Sequence, residues 1–390
     1  MTHLFINGVA ASAGGGLTYL RNVIPHLASR TDVKSTILLG TSLGKELGSF
    51  PNLCLVESAS ARGPARRIWQ EQMNLPNLIR RSGAEILVSA GNFALRKCPV
   101  PQILLSRNSL YTSADFDRDL RARGEYGLRL DTGIKSFLAK RSLAWADFTV
   151  APSQAFADDL RRWSGANVLA IPHGFDPDTF FADHTPLPAD IQRRLVRRAD
   201  ELRLLFVSHY NYYRNFETLF RALPRLRERL RRPVKLFLTC RLCSGENPGA
   251  YSASEASALV RHLGIEDSVV ELGSVPYRLL HHVYRAADLY VTPAYTESFA
   301  HPLVEAMASG LPVVASDLAV HREICGTASL YFDRFSSEEL VERVLHLAGT
   351  PAWSRELADR GRRRARDFSW SQHVNRIVEL ARSLVESSAP

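Results

Sequence analysis

Hydrophobic residues along the chain fall into short runs that alternate with longer stretches in which apolar residues have helical spacing. In the first part of the chain, the short runs HLFING, KSTILLGTS, AEILVSAG, VPQILLSRN and DFTVAPS are typical of buried strands. Helical spacing is found in LTYLRNVIPHLASR, RRIWQEQMNLPNLIRRSG, TGIKSFLAKRSLAWA and QAFADDLRRWSG. Strands that alternate with helices in this way favour parallel pairing and a doubly wound α/β sheet.

The pattern pauses at VLAIPHGFDPDTFFADHTPLP, which is rich in Pro, Asp, His and Gly, and then restarts with the strand LRLLFVSHY. We therefore predict a doubly wound domain over 1–170, a linker over 171–188, a second such domain over 189–368 and a helix over 369–390. Whether this last helix packs back on the first domain is left open. Ligands of such sheets bind beyond the carboxyl ends of the strands, so the expected site is a cleft between two facing domains.

The chain has 390 residues and a net charge of +9, carried mainly by arginine. Two Arg-rich stretches, 192–203 and 221–232, have helical patterns, but they lack the interleaved aromatic residues and the motifs of nucleic-acid binding. We interpret them as solvated helix faces and expect no nucleic-acid partner. Attraction to anionic lipid or to phosphorylated substrates is the second interpretation.

Nothing in the sequence predicts a membrane span or a disulfide framework. No apolar run approaches the roughly 20 residues that cross a bilayer, and the N-terminal residues do not resemble a signal peptide. We expect a cytoplasmic protein, with contact at the inner membrane face left open. Five scattered cysteines fit reduced thiols, and the Cys240–Cys243 pair lacks the further ligands of a zinc site, so burial at a strand end is the preferred interpretation.

Two strand-to-helix loops contain candidate ligand-binding residues. Gly14, Gly15 and Gly16 precede the first helix, where adjacent glycines permit close approach to the backbone and free N–H groups suit an anion. A plain tight turn explains the glycines about equally well. In FVSHYNYYRNFETL, His209 and Arg214 could hold one anionic group, since a guanidinium binds phosphate oxygens through paired N–H bonds. Taken alone, that segment fits an exposed Arg and a packed His better.

The segment TESFAHPLVEAM contains two carboxylates separated by a predicted helix start. Pro302 suits the first position of a helix that would end at Gly310, which puts Glu297 in the preceding loop and Glu305 near the helix start. Negative charge is stabilised there by the free N–H groups of the helix. Two carboxylates around a helix N-terminus form a polar pocket with hydrogen-bond acceptors on both sides, and such acceptors suit sugars and riboses.

These segments together carry a family resemblance. ESFAHPLVEAMASGLPVVAS resembles the E-x7-E signature of retaining glycosyltransferases of the GT-B fold, family 4 type. The GGG loop, PHGFD, FVSHYNYYRN, ELGSVPYRLLHHVYRAADLYVTPAYTESF and the late FSW match other family segments in the same order, over nearly the whole chain. The resemblance implies two Rossmann-like domains that face each other across a cleft.

The resemblance also implies a role for each matching residue. Glu297 would bond hydroxyls of the donor sugar, Glu305 would bind the ribose, and His209 and Arg214 would neutralise the diphosphate. The remaining implied donor-site residues are the amides of Ser298, Phe299 and Ala300, the glycines Gly15 and Gly16, and the base-bordering loop Gly273, Ser274 and Val275.

The sequence departs from the family pattern at four places. Arg214 replaces the usual Lys and keeps the charge. His209 replaces the usual Arg, so phosphate binding there is expected to depend on pH. Ala300 stands where the family often has glycine, which adds a methyl group near the sugar. SRNSLY lies where many members carry a His-Asp pair, so Arg107 and Asn108 are the candidates for the acceptor or donor side.

The implied reaction transfers a sugar from a nucleotide-diphosphate sugar, used as a co-substrate, to a hydroxyl of a glycan or lipid-linked acceptor, with retention of configuration. No cofactor and no metal are expected, because His209, Arg214 and helix dipoles supply positive charge. Surface polysaccharide or lipid-linked glycan synthesis is the expected setting. The alternatives are a nucleotide-sugar epimerase or a glycoside hydrolase on the same scaffold, and a non-catalytic nucleotide-binding protein.

Overall fold

The computed structural model describes residues 1–10, 14–40, 50–58, 64–198, 200–243, 245, 247 and 251–388. The chain divides into two compact units. The first unit comprises Met1–Thr112, Arg129–Gly174 and Ser369–Pro390, and the second comprises Ser113–Leu128 and Phe175–Phe368. Each unit contains one parallel sheet with helices, which confirms the prediction of two Rossmann-like α/β domains.

The first unit contains a seven-stranded sheet in the order β3-β2-β1-β4-β5-β6-β7. Its strands are β1 (Thr2–Asn7), β2 (Val33–Gly40), β3 (Leu53–Ser58), β4 (Ile86–Ser89), β5 (Gln102–Leu105), β6 (Phe148–Ala151) and β7 (Val168–Ala170). All pairings between neighbours are parallel. The short apolar runs of the sequence are buried in this sheet, as two-sided coverage by helices requires.

The second unit contains a six-stranded parallel sheet in the order β10-β9-β8-β11-β12-β13. Its strands are β8 (Leu202–Phe206), β9 (Val234–Leu238), β10 (Val269–Glu271), β11 (Leu289–Thr292), β12 (Val313–Ser316) and β13 (Ser329–Phe332). The order reverses direction between β8 and β11, and ligands of doubly wound sheets generally bind at the carboxyl edge at such a point.

Helices connect the strands of both sheets. In chain order the described helices are α1 (Gly14–Ala28), α2 (Pro64–Ser82), α3 (Ala114–Ala122), α4 (Tyr126–Trp145), α5 (Gln154–Ser164), α6 (Pro177–Phe181), α7 (Ala189–Arg194), α8 (Phe216–Leu230), α9 (Ser254–His262), α10 (Leu280–Arg285), α11 (His301–Ala308), α12 (Ala319–Cys325), α13 (Ser337–Gly349), α14 (Pro351–Ala365) and α15 (Trp370–Ser388). Among the described residues, no helix is both long enough and apolar enough to cross a membrane.

The C-terminal helix α15 is part of the first unit's core. Trp370, Val374 and Val378 are buried in the same apolar cluster as strands β1 and β4. Gly174 permits this packing, because a Cβ atom at position 174 would lie 2.0 Å from the backbone nitrogen of Trp370. The glycine of PHGFD therefore has a steric role at the point where α15 begins.

The segment 113–128 lies in the second unit, although the predicted boundary put it in the first domain. Arg123 in this segment forms ion pairs with Asp119 at 2.8 Å, Glu217 at 2.9 Å and Glu255 at 3.0 Å. Its guanidinium also lies 4.3 Å from the centre of the Tyr212 ring. The contacts with Glu217, Glu255 and Tyr212 join side chains far apart in sequence, so the strand and helix pattern alone did not indicate them.

The interpretation of 192–203 as a helix face is wrong for its second half. Helix α7 ends at Arg194, and Arg203 lies inside strand β8. Arg203 is buried there, with its Nε donating to the Glu201 carboxylate at 2.7 Å. This part of the segment forms a strand and not a helix, because the apolar residues around Arg203 fill the interior of the sheet. Cys240 is buried just after β9, as interpreted, whereas Cys243 is exposed.

Candidate active site

The loop that follows β8 carries the first predicted pair, His209 and Arg214. A short 3-10 turn over Tyr212–Arg214 ends at Asn215, whose φ of 54° lies in the left-handed region. Asparagine tolerates this conformation better than most residues, because its short polar side chain can bond locally. The Asn215 amide donates to the Arg334 carbonyl at 2.6 Å and to the Pro293 carbonyl at 3.2 Å. This turn fixes the backbone position from which the Arg214 side chain extends.

The loop that follows β11 carries Glu297 and ends at α11. Ala300 is the residue before the helix and has φ 67° and ψ 62°, again in the left-handed region. Pro302 lies in the first turn of α11, as the sequence predicted, and Gly310 follows the helix with φ 76°. The structure therefore has Glu297 in a loop and Glu305 in a helix, as the sequence predicted.

Backbone and side-chain bonds join these two loops. The Tyr295 amide donates to the Tyr213 carbonyl at 3.1 Å, beside the bond from Asn215 to Pro293. The Arg214 guanidinium forms an ion pair with the Glu297 carboxylate, and both side chains are largely shielded from solvent. The structure thus brings together two residues that the sequence placed in separate loops, at the point where the strand order reverses.

Glu305 is buried within α11 and has tyrosine partners. The Tyr284 hydroxyl donates to Oε2 of Glu305 at 2.8 Å, and Tyr277 is a second hydroxyl partner. Burial raises the pKa of Glu305 from 4.5 to about 7, while hydrogen bonds from the two tyrosines oppose this rise. The side chain is only 3% exposed, so its predicted contact with a ribose stays a prediction.

The surroundings of His209 favour the neutral form of its imidazole. Desolvation in the loop and the positive charge of Arg214 lower its pKa below the ordinary value of 6.5. An anion bound between the two residues would oppose both effects, because a negative charge favours the protonated imidazole. The pH dependence expected from replacing Arg by His thus has a structural basis.

The other predicted donor-site residues lie in the same unit. The Phe299 side chain is buried and packs edge-on against Phe368, with ring centres 5.6 Å apart. Ser298 precedes it in the loop. Gly273 has φ 78°, and Nε of Arg241 lies 3.1 Å from the place where a Cβ atom would be. Ser274 and Val275 follow Gly273 in the loop after β10.

The remaining predicted residues lie in the first unit. Gly15 and Gly16 are in the first turn of α1 and not in a loop before it, since the helix begins at Gly14. The Arg107 guanidinium donates to the Ala90 carbonyl and lies 4.6 Å from the centre of the Tyr19 ring.

Within the described part of the chain, Nε and Nη1 of Arg107 are buried without a hydrogen-bond partner, and burial lowers the Arg107 pKa to about 10. Asn108 has a local role, because its side chain accepts from the Leu110 amide at 3.1 Å and caps a 3-10 turn.

Sequence reasoning missed the residues that position the site. Tyr277, Tyr284 and Asn215 contact predicted residues. They lie in segments that resemble the family, but the resemblance assigned them no role. The Asn after Arg214 was the one available signal, because asparagine is enriched where φ is positive. Among the described residues, no cluster of three or more His, Cys, Asp or Glu side chains could hold a metal ion.

Comparison with solved structures defines the class of fold. The chain aligns over its full length with sucrose-phosphate synthase from Thermosynechococcus elongatus, over 100% of both chains, with a TM-score of 0.78 at 20% identity. It also aligns with Anabaena HepE in complex with UDP-glucose, over 98% of this chain and 100% of the other, with a TM-score of 0.73 at 17% identity. The protein has the GT-B fold.

Comparison of sequences then gives the family. Residues 189–367 match the family model described as Glycosyl transferases group 1. Over 256 residues the chain is 29% identical to a D-inositol 3-phosphate glycosyltransferase from Xylanimonas cellulosilytica, covering 61% of this chain and 57% of the relative. The chain thus spans a little over half the length of the curated relatives it matches.

Proposed function

We propose that the protein is a retaining, metal-independent glycosyltransferase that moves a sugar from a nucleotide-diphosphate sugar to a hydroxyl of a glycan or lipid-linked acceptor. The observation that carries this proposal is the Arg214–Glu297 pair at the point where the second sheet reverses strand order. A cation and an acceptor of sugar hydroxyl bonds lie side by side there. The family of residues 189–367 supports the same reaction class.

The second unit stabilises the departing diphosphate. In a transfer with an oxocarbenium-like transition state, negative charge grows on the leaving group, and preorganised positive groups lower the barrier. Arg214 supplies a permanent charge, His209 becomes charged when an anion binds, and the N-terminus of α11 supplies backbone N–H groups. The Glu297 carboxylate accepts bonds from the sugar hydroxyls and orients the sugar, so no covalent intermediate with the protein is needed.

Arg107 gives the first unit a role in the same reaction. Its guanidinium has two buried nitrogens without a partner among the described residues, and leaving a buried donor unpaired is unfavourable. A negatively charged or oxygen-rich group of the acceptor or donor would satisfy them. We therefore assign Arg107 to substrate binding and Asn108 to holding the turn that follows it.

UDP-sugars are the first donors to test, because HepE was solved with UDP-glucose. For the acceptor, the relative named D-inositol 3-phosphate glycosyltransferase suggests a phosphorylated polyol as one test compound. The expected setting is synthesis of a surface polysaccharide or a lipid-linked glycan at the cytoplasmic side of the membrane.

A binding screen followed by a transfer assay tests the proposal. UDP, GDP, ADP and their sugars are compared by thermal shift, since a ligand that binds only the native state raises its stability. With the best donor, Glu297→Gln should lower kcat/KM for sugar transfer by at least about 100-fold, the usual effect of removing one transition-state contact. Glu266→Gln, at an exposed position of the same unit, is the matched control and should leave kcat/KM unchanged.

The same experiment separates the alternatives. Fast stoichiometric hydrolysis or epimerisation of the donor without an acceptor would replace the proposal by a hydrolase or epimerase. Binding without any turnover across a panel of acceptors would favour a nucleotide-binding protein. If Glu297→Gln left both donor binding and transfer intact, the assignment of the site itself would be wrong.

A further inference from the structure

Helix α3 belongs to the second unit, although it lies in the sequence between two parts of the first unit. Its N-terminus is capped, because the Ser113 side chain accepts from the Phe116 amide at 3.2 Å. Phe116 and Leu120 are each 1% exposed, so one face of α3 is buried. The proposed reaction assigns no residue of α3 to a substrate, and its contacts with the two site loops, 207–215 and 293–300, indicate another role.

Asp119 on α3 accepts a hydrogen bond from the site loop that carries Glu297. The Tyr295 hydroxyl donates to Oδ2 of Asp119 at 2.7 Å, and Tyr295 lies two residues before Glu297. Burial and the nearby carboxylate raise the pKa of Tyr295, so the hydroxyl keeps its proton at neutral pH. A hydrogen bond to a charged group is roughly twice as strong as one between neutral groups. Asp119 therefore restrains the loop just before Glu297.

Phe116 on α3 contacts the other site loop, which carries Arg214. Its ring packs edge-on against the Tyr213 ring, with centres 6.1 Å apart. The Arg214 guanidinium lies 5.2 Å from the centre of the same tyrosine ring. The Tyr213 carbonyl accepts from the Tyr295 amide at 3.1 Å, which joins this loop to the other. Phe116 thus holds the ring beside which the Arg214 side chain lies.

Asp115 reaches the Arg214 loop through Arg334. Nε and Nη2 of Arg334 each lie 2.8 Å from Oδ2 of Asp115. The Arg334 carbonyl accepts from the side-chain amide of Asn215, the left-handed residue that ends the turn after Arg214. Asp115 and Asp119 are four residues apart, so they lie on the same face of α3 and reach the two site loops together.

The residues that follow α3 extend these contacts. The Arg123 guanidinium lies 4.3 Å from the centre of the Tyr212 ring, and the Tyr212 hydroxyl donates to the Glu125 carboxylate. Nε of Arg123 also donates to Oδ1 of Asp119 at 2.8 Å. The two oxygens of Asp119 thus have different partners, because Arg123 uses one and Tyr295 uses the other. Arg123 thereby orients the carboxylate that holds the Glu297 loop.

We infer that Asp119 is a positioning residue for the transfer reaction and that α3 sets the placement of Arg214 relative to Glu297 by holding Tyr213 and Tyr295. This inference rests on the proposed function, since α3 acts on the reaction only through those two site residues. Misplacing a reacting group by about 1 Å can lower a rate by about 100-fold, even when the altered residue is far from the chemistry.

A double-mutant cycle on sugar transfer tests this role. Asp119→Ala and Tyr295→Phe should each lower kcat/KM for the best donor by about tenfold. The double variant should be no slower than Asp119→Ala alone, because Tyr295 acts through the bond that this variant already lacks. The matched control is Asp117→Ala, whose carboxylate pairs with Arg121 on the same helix, and it should leave kcat/KM unchanged.

Hydrogen exchange without substrate separates this inference from the proposed function. In Asp119→Ala, amides of 207–215 and 293–300 should exchange about tenfold faster than in the wild type, while strands β8 to β13 are unchanged. If the wild type transfers no sugar, the proposed function fails and exchange alone decides the positioning role. Faster exchange confined to the two site loops then supports it, and unchanged exchange overturns it.

Three other outcomes would also overturn the inference. These are unchanged kcat/KM in both single variants, losses that multiply in the double variant, and faster exchange over the whole second unit, which would indicate a general loss of stability. If Asp119→Ala does not fold, Tyr295→Phe decides in its place by the same two measurements, because it removes one oxygen atom and no packing group.

Discussion

Replacing Glu305 by glutamine should make the protein more stable at alkaline pH and leave its stability unchanged in acid. The folded-state pKa of Glu305 is about 7, against an ordinary value of 4.5, because burial disfavours the carboxylate. Below pH 4.5 the side chain is protonated in both states and stability is not reduced. Between pH 4.5 and 7 only the unfolded chain loses the proton, so stability falls as pH rises.

The magnitude follows from the same two values. Each pKa unit corresponds to about 1.4 kcal/mol, so the difference between 4.5 and about 7 amounts to roughly 3 kcal/mol above pH 7. Glutamine is neutral and close in shape, and its carbonyl can accept the bond that the Tyr284 hydroxyl now donates. Glu305→Gln should therefore raise the unfolding free energy by up to about 3 kcal/mol at pH 8 and by nearly nothing at pH 4.5.

Urea unfolding followed by fluorescence at several pH values measures this difference. The control is Glu266→Gln, which removes an exposed carboxylate and should give no pH-dependent difference from the wild type. A Glu305→Gln variant that is less stable than the wild type at pH 8, or equally different at pH 4.5 and 8, would refute the reasoning. If UDP binds this variant more weakly while the protein is more stable, the carboxylate is retained for the ligand at the expense of stability.

The structure predicts the effects of three further substitutions. His209→Arg should bind UDP about tenfold more tightly at pH 7.5 than the wild type. The wild type should gain affinity for UDP as pH falls through the lowered pKa of His209, and the variant should not. Titration calorimetry that finds the same pH dependence in both proteins would contradict this. Ala300→Gly should raise the unfolding free energy measured in urea by about 1 kcal/mol, because the φ of residue 300 is 67°. Ala308→Gly should lower it, because residue 308 lies inside α11, where glycine is less favourable than alanine. Gly174→Ala should lower the unfolding free energy of the first unit by about 3 kcal/mol, because the added Cβ atom clashes with the backbone at Trp370. Gly133→Ala should not lower it, because the Cβ atom added there has open space.

The two sheets were predictable because their signal is local. Most of their strands are short apolar runs bounded by turn residues, and periodicity separates them from the helices beside them. The partly exposed strand β3 and the three-residue strand β7 were not predicted. The segment 113–128 shows where local signals end. Its assignment to the second unit depends on ion pairs of Arg123 with Glu217 and Glu255, and no spacing rule joins residues that far apart in sequence.

The candidate site shows the same limit at single residues. Glu297 and Arg214 were each predicted, from a signature and from a loop position, but their ion pair depends on how β8 and β11 are placed side by side. Glu305 was predicted as a hydrogen-bond acceptor near a helix start. Its burial and its hydrogen bond with Tyr284 were not predicted. Burial is a property of the whole packed unit, so the raised pKa could not follow from the signature.

Ala300 connects the departure from the family pattern with the geometry of the site. From the sequence, the only reason was one of size, since alanine adds a methyl group where the family often has glycine. The structure gives a backbone reason, because the residue before α11 has a left-handed conformation that is unfavourable for alanine by about 1–2 kcal/mol. That strain lies between Glu297 and the N-terminus of α11. In the proposed reaction, the methyl group of Ala300 would therefore limit the space for the donor sugar beside this loop.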